Sequence, residues 1–303
     1  MKWGTRTRPP GRVAAVVNPA SGSAGPDAVA EVKRILAEHG VDGDVTFPGE
    51  AGLEACLRAA LDGKPDILIV VAGDGTARAA AEMAGPRGPL VAPLPGGTMN
   101  MLPRALYGDR DWKTALAAIL DGGVARRVSG GEIDGRSFYV AAILGSPALW
   151  AEAREAARDG DLWRMMTRGR RALRRAFSGA LRYSLDGGRP HTAEALTLVC
   201  PLVSRELAAD EGWLEAAAID PAGAVDVFRL GFRAALGDWR GDPAVDVARI
   251  RKGRVSAGGR IPAVLDGEPV RLGSSVSFRF RPTAFRALVP AESAESAEPE
   301  TAT

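Results

Sequence analysis

Gly73, Asp74, Gly75 and Thr76 directly follow the aliphatic run Ile67-Leu-Ile-Val-Val-Ala72 and precede good helix formers over 77–83. A buried strand that turns sharply into a helix explains this order. The two glycines allow a tight turn and a close approach of backbone to another group. A helix starting here presents unsatisfied N–H groups and a partial positive charge, a setting that suits phosphate oxygens. Asp74 is out of keeping with an anion site unless it holds a cation or takes up a proton. The same four residues equally describe a plain strand-to-helix turn with Asp74 or Thr76 as its cap. Two more loops share this character. Asn18-Pro19 follows the apolar run 13–17 and offers a side-chain amide beside freed backbone N–H groups. Gly96, Gly97 and Thr98 follow the run 89–93 and offer a backbone nest with a hydroxyl, with Asn100 near the start of a helix. No GxxxxGK[ST] sequence occurs, so a P-loop fold is not supported.

To bring these loops together, the elements that carry them must share a sheet. Residues 12–17, 41–47, 67–72 and 89–93 read as strands, and 27–38, 50–61, 76–84 and two segments up to Leu120 as helices. Alternation of this kind predicts a parallel sheet covered on both faces. Ligands of such sheets sit beyond the carboxyl ends of the strands, where all three loops fall. Near residue 124 the pattern changes. Strands are predicted at 124–133, 137–144, 181–185, 195–200, 213–219, 254–257, 263–265 and 276–281, many separated by Gly and Asp turns such as Asp134-Gly135. This half predicts an antiparallel β domain with helical inserts over roughly 150–178 and 224–237. The expected division is therefore 11–123, 124–290, and a tail over 291–303 without large apolar residues, expected to be disordered.

The 303 residues suffice for two domains, and the net charge of +2 does not by itself suggest a nucleic-acid partner. Cys56 and Cys200 form no CxxC, and His39 and His191 are the only histidines. A disulfide framework, a histidine metal site and a Ser/His/Asp triad are thus disfavoured, and a reducing cytoplasm fits. No window has the apolar length of a membrane span. Residues 150–177 interleave Trp163, Met166, Leu173 and Phe177 with Arg170, Arg171, Arg174 and Arg175. Two uses fit such a helix: lying in an anionic membrane interface, or packing its apolar side on the β domain.

The Asn-Pro loop, the Gly-Asp-Gly-Thr turn and the run from Gly96 to Arg104 (Gly-Gly-Thr-Met-Asn-Met-Leu-Pro-Arg) resemble the diacylglycerol kinase catalytic-domain family, which includes lipid, sphingosine and ceramide kinases. Asp210-Glu-Gly-Trp-Leu-Glu215 resembles its acidic loop, and Leu265-Asp-Gly-Glu268 its late motif. The resemblance spans roughly residues 11–290 with the motifs in the family's order. It implies a phosphofructokinase-like α/β nucleotide-binding domain followed by a β-sandwich that takes the lipid substrate. It implies ATP against Asn18, Thr46, Gly73, Asp74, Gly75, Thr76, Gly97, Thr98 and Asn100. Glu268 would be the base that deprotonates a lipid hydroxyl. Asp74 would act with the Mg²⁺–phosphate unit, although some members use the equivalent Asp as base. Glu211, with the carbonyls of Ala208 and Trp213, would match a second Mg²⁺ site. Phosphoryl transfer needs positioning, charge neutralisation and a base, and needs neither His nor Cys.

Three departures stand out. Ala72 replaces the first glycine of the usual Gly-Gly-Asp-Gly-Thr, and its methyl is expected to narrow the phosphate approach. Glu211 replaces the usual second Asp of the acidic loop, and Pro103 stands where Ala is common. Diacylglycerol is the expected acceptor, with a sphingoid base or ceramide as the nearest alternative. NAD kinase, which shares a Gly-Gly-Asp-Gly core, and an inactive nucleotide- or lipid-binding protein are the other readings. The expected setting is cytoplasmic with peripheral membrane contact and no nucleic-acid partner, and a homodimer is left open.

Overall fold

A computed structural model describes residues 11–48, 52–145, 181–204, 207, 212–220, 240 and 242–292. The inserts expected near 150–178 and 224–237, and the tail from 293 on, lie outside the described residues. The described chain forms two compact units. One holds the residues up to Ser129 together with those from Pro282 on, and the other holds Gly130–Arg281.

The first unit is α/β. Its strands are β1 (Val13–Val17), β2 (Gly43–Thr46), β3 (Ile67–Ala72) and β4 (Leu90–Pro95). Its helices are α1 (Ala28–Glu38), α2 (Gly52–Asp62), α3 (Asp74–Ala84), α4 (Met101–Tyr107) and α5 (Trp112–Gly122). The four strands are parallel in the order β2-β1-β3-β4. β1 and β3 are buried at every position, as strands covered on both faces must be. From β1 the chain moves outward through α1 to β2. From β3 it moves the other way, through α3 to β4. The strand order therefore reverses between β1 and β3, the place where open α/β sheets bind ligands.

Two strands leave the first unit and return to it. β5 (Gly123–Ile133) leads out. β16 (Ser275–Pro290) brings residues 282–290 back, where Ala287 pairs in parallel with Val91 of β4. Phe285, Ala287, Leu288 and Val289 are buried there. Tyr107, at the end of α4, donates its hydroxyl to the Leu288 carbonyl at 2.9 Å. Burial pushes that phenol well above its ordinary pKa. The strand expected from the sequence spans 276–281 and stops before Pro282, a residue that is rare inside sheets. The chain passes through that position and continues for eight more residues.

The second unit is antiparallel. One sheet has the order β12-β11-β10-β7-β14-β15, formed by Val245–Ile250, Leu214–Ile219, Ala195–Val199, Ala141–Gly145, Pro262–Leu265 and Glu268–Arg271. The other joins the first part of β16 to β13 (Lys252–Ser256), β8 (Leu181–Leu185) and β9 (His191–Ala193), with β5 and β6 (Arg136–Phe138) alongside. Side chains from both sheets share one core that includes Phe138, Leu144, Leu198, Leu214, Val255 and Phe278. This is a sandwich, as alternating inward apolar positions require. β9, β12 and β15 are strands that periodicity had not marked. β12 carries Asp246 and Arg249, and its side chains are largely exposed.

Candidate active site

The first unit brings four predicted segments to the carboxyl ends of adjacent strands: Asn18 after β1, Thr46 ending β2, the 73–76 turn after β3, and 96–100 after β4. The Asn18 N–H donates to the Val71 carbonyl at 2.8 Å, which ties the first loop to β3. Its side-chain Oδ1 accepts from the Ala20 N–H at 3.1 Å, closing the turn. Thr46 is exposed, and its hydroxyl reaches the Ala15 carbonyl at 3.3 Å.

The 73–76 turn and the 96–100 loop touch backbone to backbone. A Cβ on Gly97 would lie 2.6 Å from the Gly73 Cα and 3.1 Å from Asn100 Oδ1. A Cβ on Gly96 would lie 2.6 Å from the Ala72 nitrogen. Glycine at these positions therefore lets two turns meet. In α3 the first intrahelical bond is from the Ala77 N–H to the Gly73 carbonyl at 3.0 Å. The N–H groups of Asp74, Gly75 and Thr76 consequently have no acceptor within their own helix.

Asp74 and Asn100 have definite structural duties. The N-cap of α3 is Gly73, with no side-chain cap bond, so neither Asp74 nor Thr76 caps that helix. Asp74 Oδ1 instead accepts from the Met101 N–H at 2.6 Å, at the first residue of α4. One carboxylate oxygen thus fixes the neighbouring helix and the Gly97–Asn100 loop before it. Asn100 is buried and left-handed, with φ 52°. Its amide accepts from the Gly97 N–H at 2.7 Å and donates to the Gly97 carbonyl at 2.9 Å, so it clasps its own loop. Asparagine is among the few side chains that tolerate this backbone. Thr98, by contrast, is exposed.

Ser23 was not singled out from the sequence. Its hydroxyl lies 2.9 Å from the Pro95 carbonyl and 2.8 Å from that of Gly97, and its N–H donates to the Gly96 carbonyl at 3.0 Å. It joins the loop after β1 to the loop after β4. In a stretch as rich in small residues as 20–25, nothing distinguishes it from Ser21.

Two expected departures have structural resolutions. Ala72 is fully buried in β3, so its methyl does not line an exposed phosphate approach, contrary to the expectation from its residue type. Pro103 is the third residue of α4, in the first turn, where a missing N–H forfeits no intrahelical bond.

Gly97→Ala tests the contact between the turns. Overpacking costs about 1–3 kcal/mol, here between two backbones that cannot rotate aside. On the nucleotide site that the resemblance implies, the variant is expected to stay folded and to lose affinity for ATP in titration calorimetry. Gly22→Ala should do less, since its Cβ would meet the Thr98 hydroxyl at 2.8 Å, a side chain free to turn. Unchanged affinity in Gly97→Ala would show that this contact does not shape the site.

Glu268 and Trp213 belong to the second unit. Glu268 opens β15, directly after the turn Asp266-Gly267, whose φ values of 49° and 89° fit the type I′ hairpin that a Gly at its second position favours. The turn is more than a reversal of direction. Asp266 is buried, and its carboxylate accepts from the N–H groups of Tyr139 and Val140 at 2.8 Å each and of Ala141 at 3.0 Å. These bonds clamp the turn, and with it the start of β15, to the chain between β6 and β7. Burial and the charge of Asp266 push the Cys200 thiol well up, so this cysteine is no nucleophile. Trp213 lies just before β11, with the Arg251 guanidinium 4.2 Å from its ring centroid. Ala208 and Glu211 lie outside the described residues. Glu215, the last acid of the same stretch, is fully buried in β11. It accepts from Arg240 Nε at 2.5 Å and Nη2 at 3.1 Å, and from the Ser204 hydroxyl at 2.5 Å.

The family model for the diacylglycerol kinase catalytic domain matches residues 12–132. Among solved structures, that of a diacylglycerol kinase from Bacillus anthracis str. Sterne has a TM-score of 0.65 at 15% identity, covering 93% of this chain and 97% of that one. A second structure from the same organism has a TM-score of 0.73 at 16% identity, covering 94% and 99%. An NAD kinase from Archaeoglobus fulgidus, solved in complex with ATP, has a TM-score of 0.55 at 12% identity, covering 94% and 96%. These likenesses are of fold: an α/β unit on a parallel sheet with an antiparallel β unit.

Proposed function

We propose, from the match of residues 12–132 to the diacylglycerol kinase catalytic domain, that the protein transfers the γ-phosphate of ATP to a lipid hydroxyl, diacylglycerol giving phosphatidic acid. The observation that carries this reading is the meeting of the 73–76 and 96–100 turns beside the β1/β3 reversal, with helix N–H groups turned toward one end of the sheet. Asn18, Thr46, Gly73, Gly75, Thr76, Gly97 and Thr98 would hold the nucleotide, and Asn100 would keep the Gly97 turn in shape. Glu268 would take the proton of the lipid hydroxyl as its oxygen bonds to the γ-phosphorus and ADP leaves.

Among the described residues no cluster of three or more His, Cys, Asp or Glu side chains could cage a metal. Mg²⁺ is commonly held by one or two carboxylates plus substrate phosphates, and Asp74 fits that use. Bound there, Mg²⁺ would neutralise charge on the transferring phosphate. A second Mg²⁺ at Glu211, with the carbonyls of Ala208 and Trp213, is part of the same proposal. No helix among the described residues is long and apolar enough to cross a membrane. Peripheral contact through 150–177 would bring the enzyme to its lipid.

The test is transfer of label from γ-labelled ATP to an extracted lipid mixture, with NAD offered in parallel and the product identified by mass spectrometry. A labelled phosphatidic acid is expected; a labelled ceramide or sphingoid base would rename the acceptor. Glu268→Gln should lower the rate by about 10²–10⁴-fold, the usual contribution of a positioned base. Label on NAD alone, or no transfer at all, would sink the proposal.

A further inference from the structure

The outer face of the second unit's sheet carries an unusual charge register. Across β8, β13 and β16, Arg182, Ser256 and Ser275 form one row, and Ser184, Arg254 and Ser277 the next. In the row after that, Lys252 stands directly opposite Arg279. The intervening Tyr183, Val255, Val276 and Phe278 point into the core. Arg182, Lys252, Arg254, Ser275, Ser277 and Arg279 are exposed. Like charges directly opposite each other on a sheet destabilise it. Glu132 relieves Arg279, at 2.8 Å, and also pairs with Arg281, at 2.9 Å. Arg182, Lys252 and Arg254 form no ion pair among the described residues. The two nearby turn acids are turned to backbone: Asp186 accepts from the Lys252 N–H at 2.9 Å and Asp134 from the Gly273 N–H at 3.4 Å. An open concavity of about 610 Å³ lies on this face, with Ser184, Lys252, Arg254, Ser277 and Arg279 in its lining.

We propose that this face docks on the phosphate groups of an anionic phospholipid bilayer. Guanidinium and ammonium groups interleaved with hydroxyls supply donors across an open face, which matches an array of headgroup phosphates. The row residues named include no aromatic side chain, so bases of a single-stranded nucleic acid would find no ring there to stack on. The choice of a bilayer rests on the lipid-kinase reading, because the proposed acceptor resides in one. The surface itself is independent of the strand-end loops of the first unit.

Co-sedimentation with phosphatidylcholine vesicles, with and without about a third of phosphatidylglycerol, tests it. Each basic residue near an anionic surface contributes about 1 kcal/mol, so the triple variant Arg182→Gln, Lys252→Gln, Arg254→Gln should partition onto the anionic vesicles on the order of 100-fold less well. Its melting temperature should hold or rise, since the Lys252–Arg279 repulsion is gone. Transfer to detergent-dispersed lipid should be unchanged, which separates docking from catalysis; a protein without kinase activity can still be scored by vesicle binding. Three results would overturn the proposal. The triple variant could partition like the parent, with loss seen only on neutralising Arg170, Arg171, Arg174 and Arg175. Inorganic phosphate could bind these residues as tightly as vesicles do, which would make this a soluble-anion site. A duplex oligonucleotide could outcompete the vesicles.

Discussion

Asp266→Ala is expected to lower the unfolding free energy by about 3–5 kcal/mol, because two buried N–H groups and one part-buried one lose their acceptor at roughly 1–3 kcal/mol each. Those donors, on Tyr139, Val140 and Ala141, face one carboxylate that is 2% exposed. Alanine would also have to adopt φ 49°, which aspartate tolerates better. Asp266→Asn should lose less, since one oxygen can still accept from Val140 and Ala141, while its NH₂ would face the Tyr139 N–H. Urea unfolding checks this through a lower midpoint at unchanged slope. Under the proposed function, activity should fall as well in both variants, because the turn that sets Glu268 would loosen. A loss below 1 kcal/mol in the alanine variant would mean that water replaces the carboxylate and that the turn stands without it.

Glu215→Ala should cost about 3 kcal/mol, at the lower end of what breaking a buried ion pair costs, because Arg240 retains partial access to solvent. The side chains of Glu215 and Arg240 are 1% and 19% exposed. Removing the carboxylate takes two hydrogen bonds from the Arg240 guanidinium and one from the Ser204 hydroxyl, which itself accepts from the Leu207 N–H at 3.1 Å. The double variant Glu215→Leu, Arg240→Leu should recover much of the loss, since apolar pairs of similar volume often replace buried ion pairs without penalty. A double variant as unstable as the single would place the cost elsewhere. In the acidic stretch that ends at Glu215, this last acid is thereby an anchor rather than a metal ligand.

Where the chain alternates strand and helix, the architecture was legible, since buried parallel strands are aliphatic throughout and a strand is the simplest reading of Ile67-Leu-Ile-Val-Val-Ala72. The glycine loops were legible as loops, and the roles inside them less so. Periodicity says that a turn exists at Asp266-Gly267; it says nothing about a carboxylate that reaches back 125 to 127 residues to hold Tyr139, Val140 and Ala141. The resemblance implies Asn100 as a nucleotide contact; that both ends of its amide also close its own loop is visible only in three dimensions. Ala72 looked like an obstacle because a methyl is larger than a hydrogen, but which way that methyl points depends on the pleat. The continuation of β16 past Pro282 was hidden by a residue that usually ends strands and is tolerated where no ladder bond is needed from it.

That returning strand has a bearing on how the protein is made. A ribosome finishes the α/β half of the sequence long before it reaches Phe285–Val289, so until synthesis is nearly complete β4 has β3 on one side and no strand on the other, and the Tyr107 hydroxyl lacks the Leu288 carbonyl. The first half to emerge is the last to close. A fragment cut near residue 123 would keep the turns at 73–76 and 96–100 and still expose an unpaired aliphatic edge, a recipe for aggregation rather than for an isolated α/β domain.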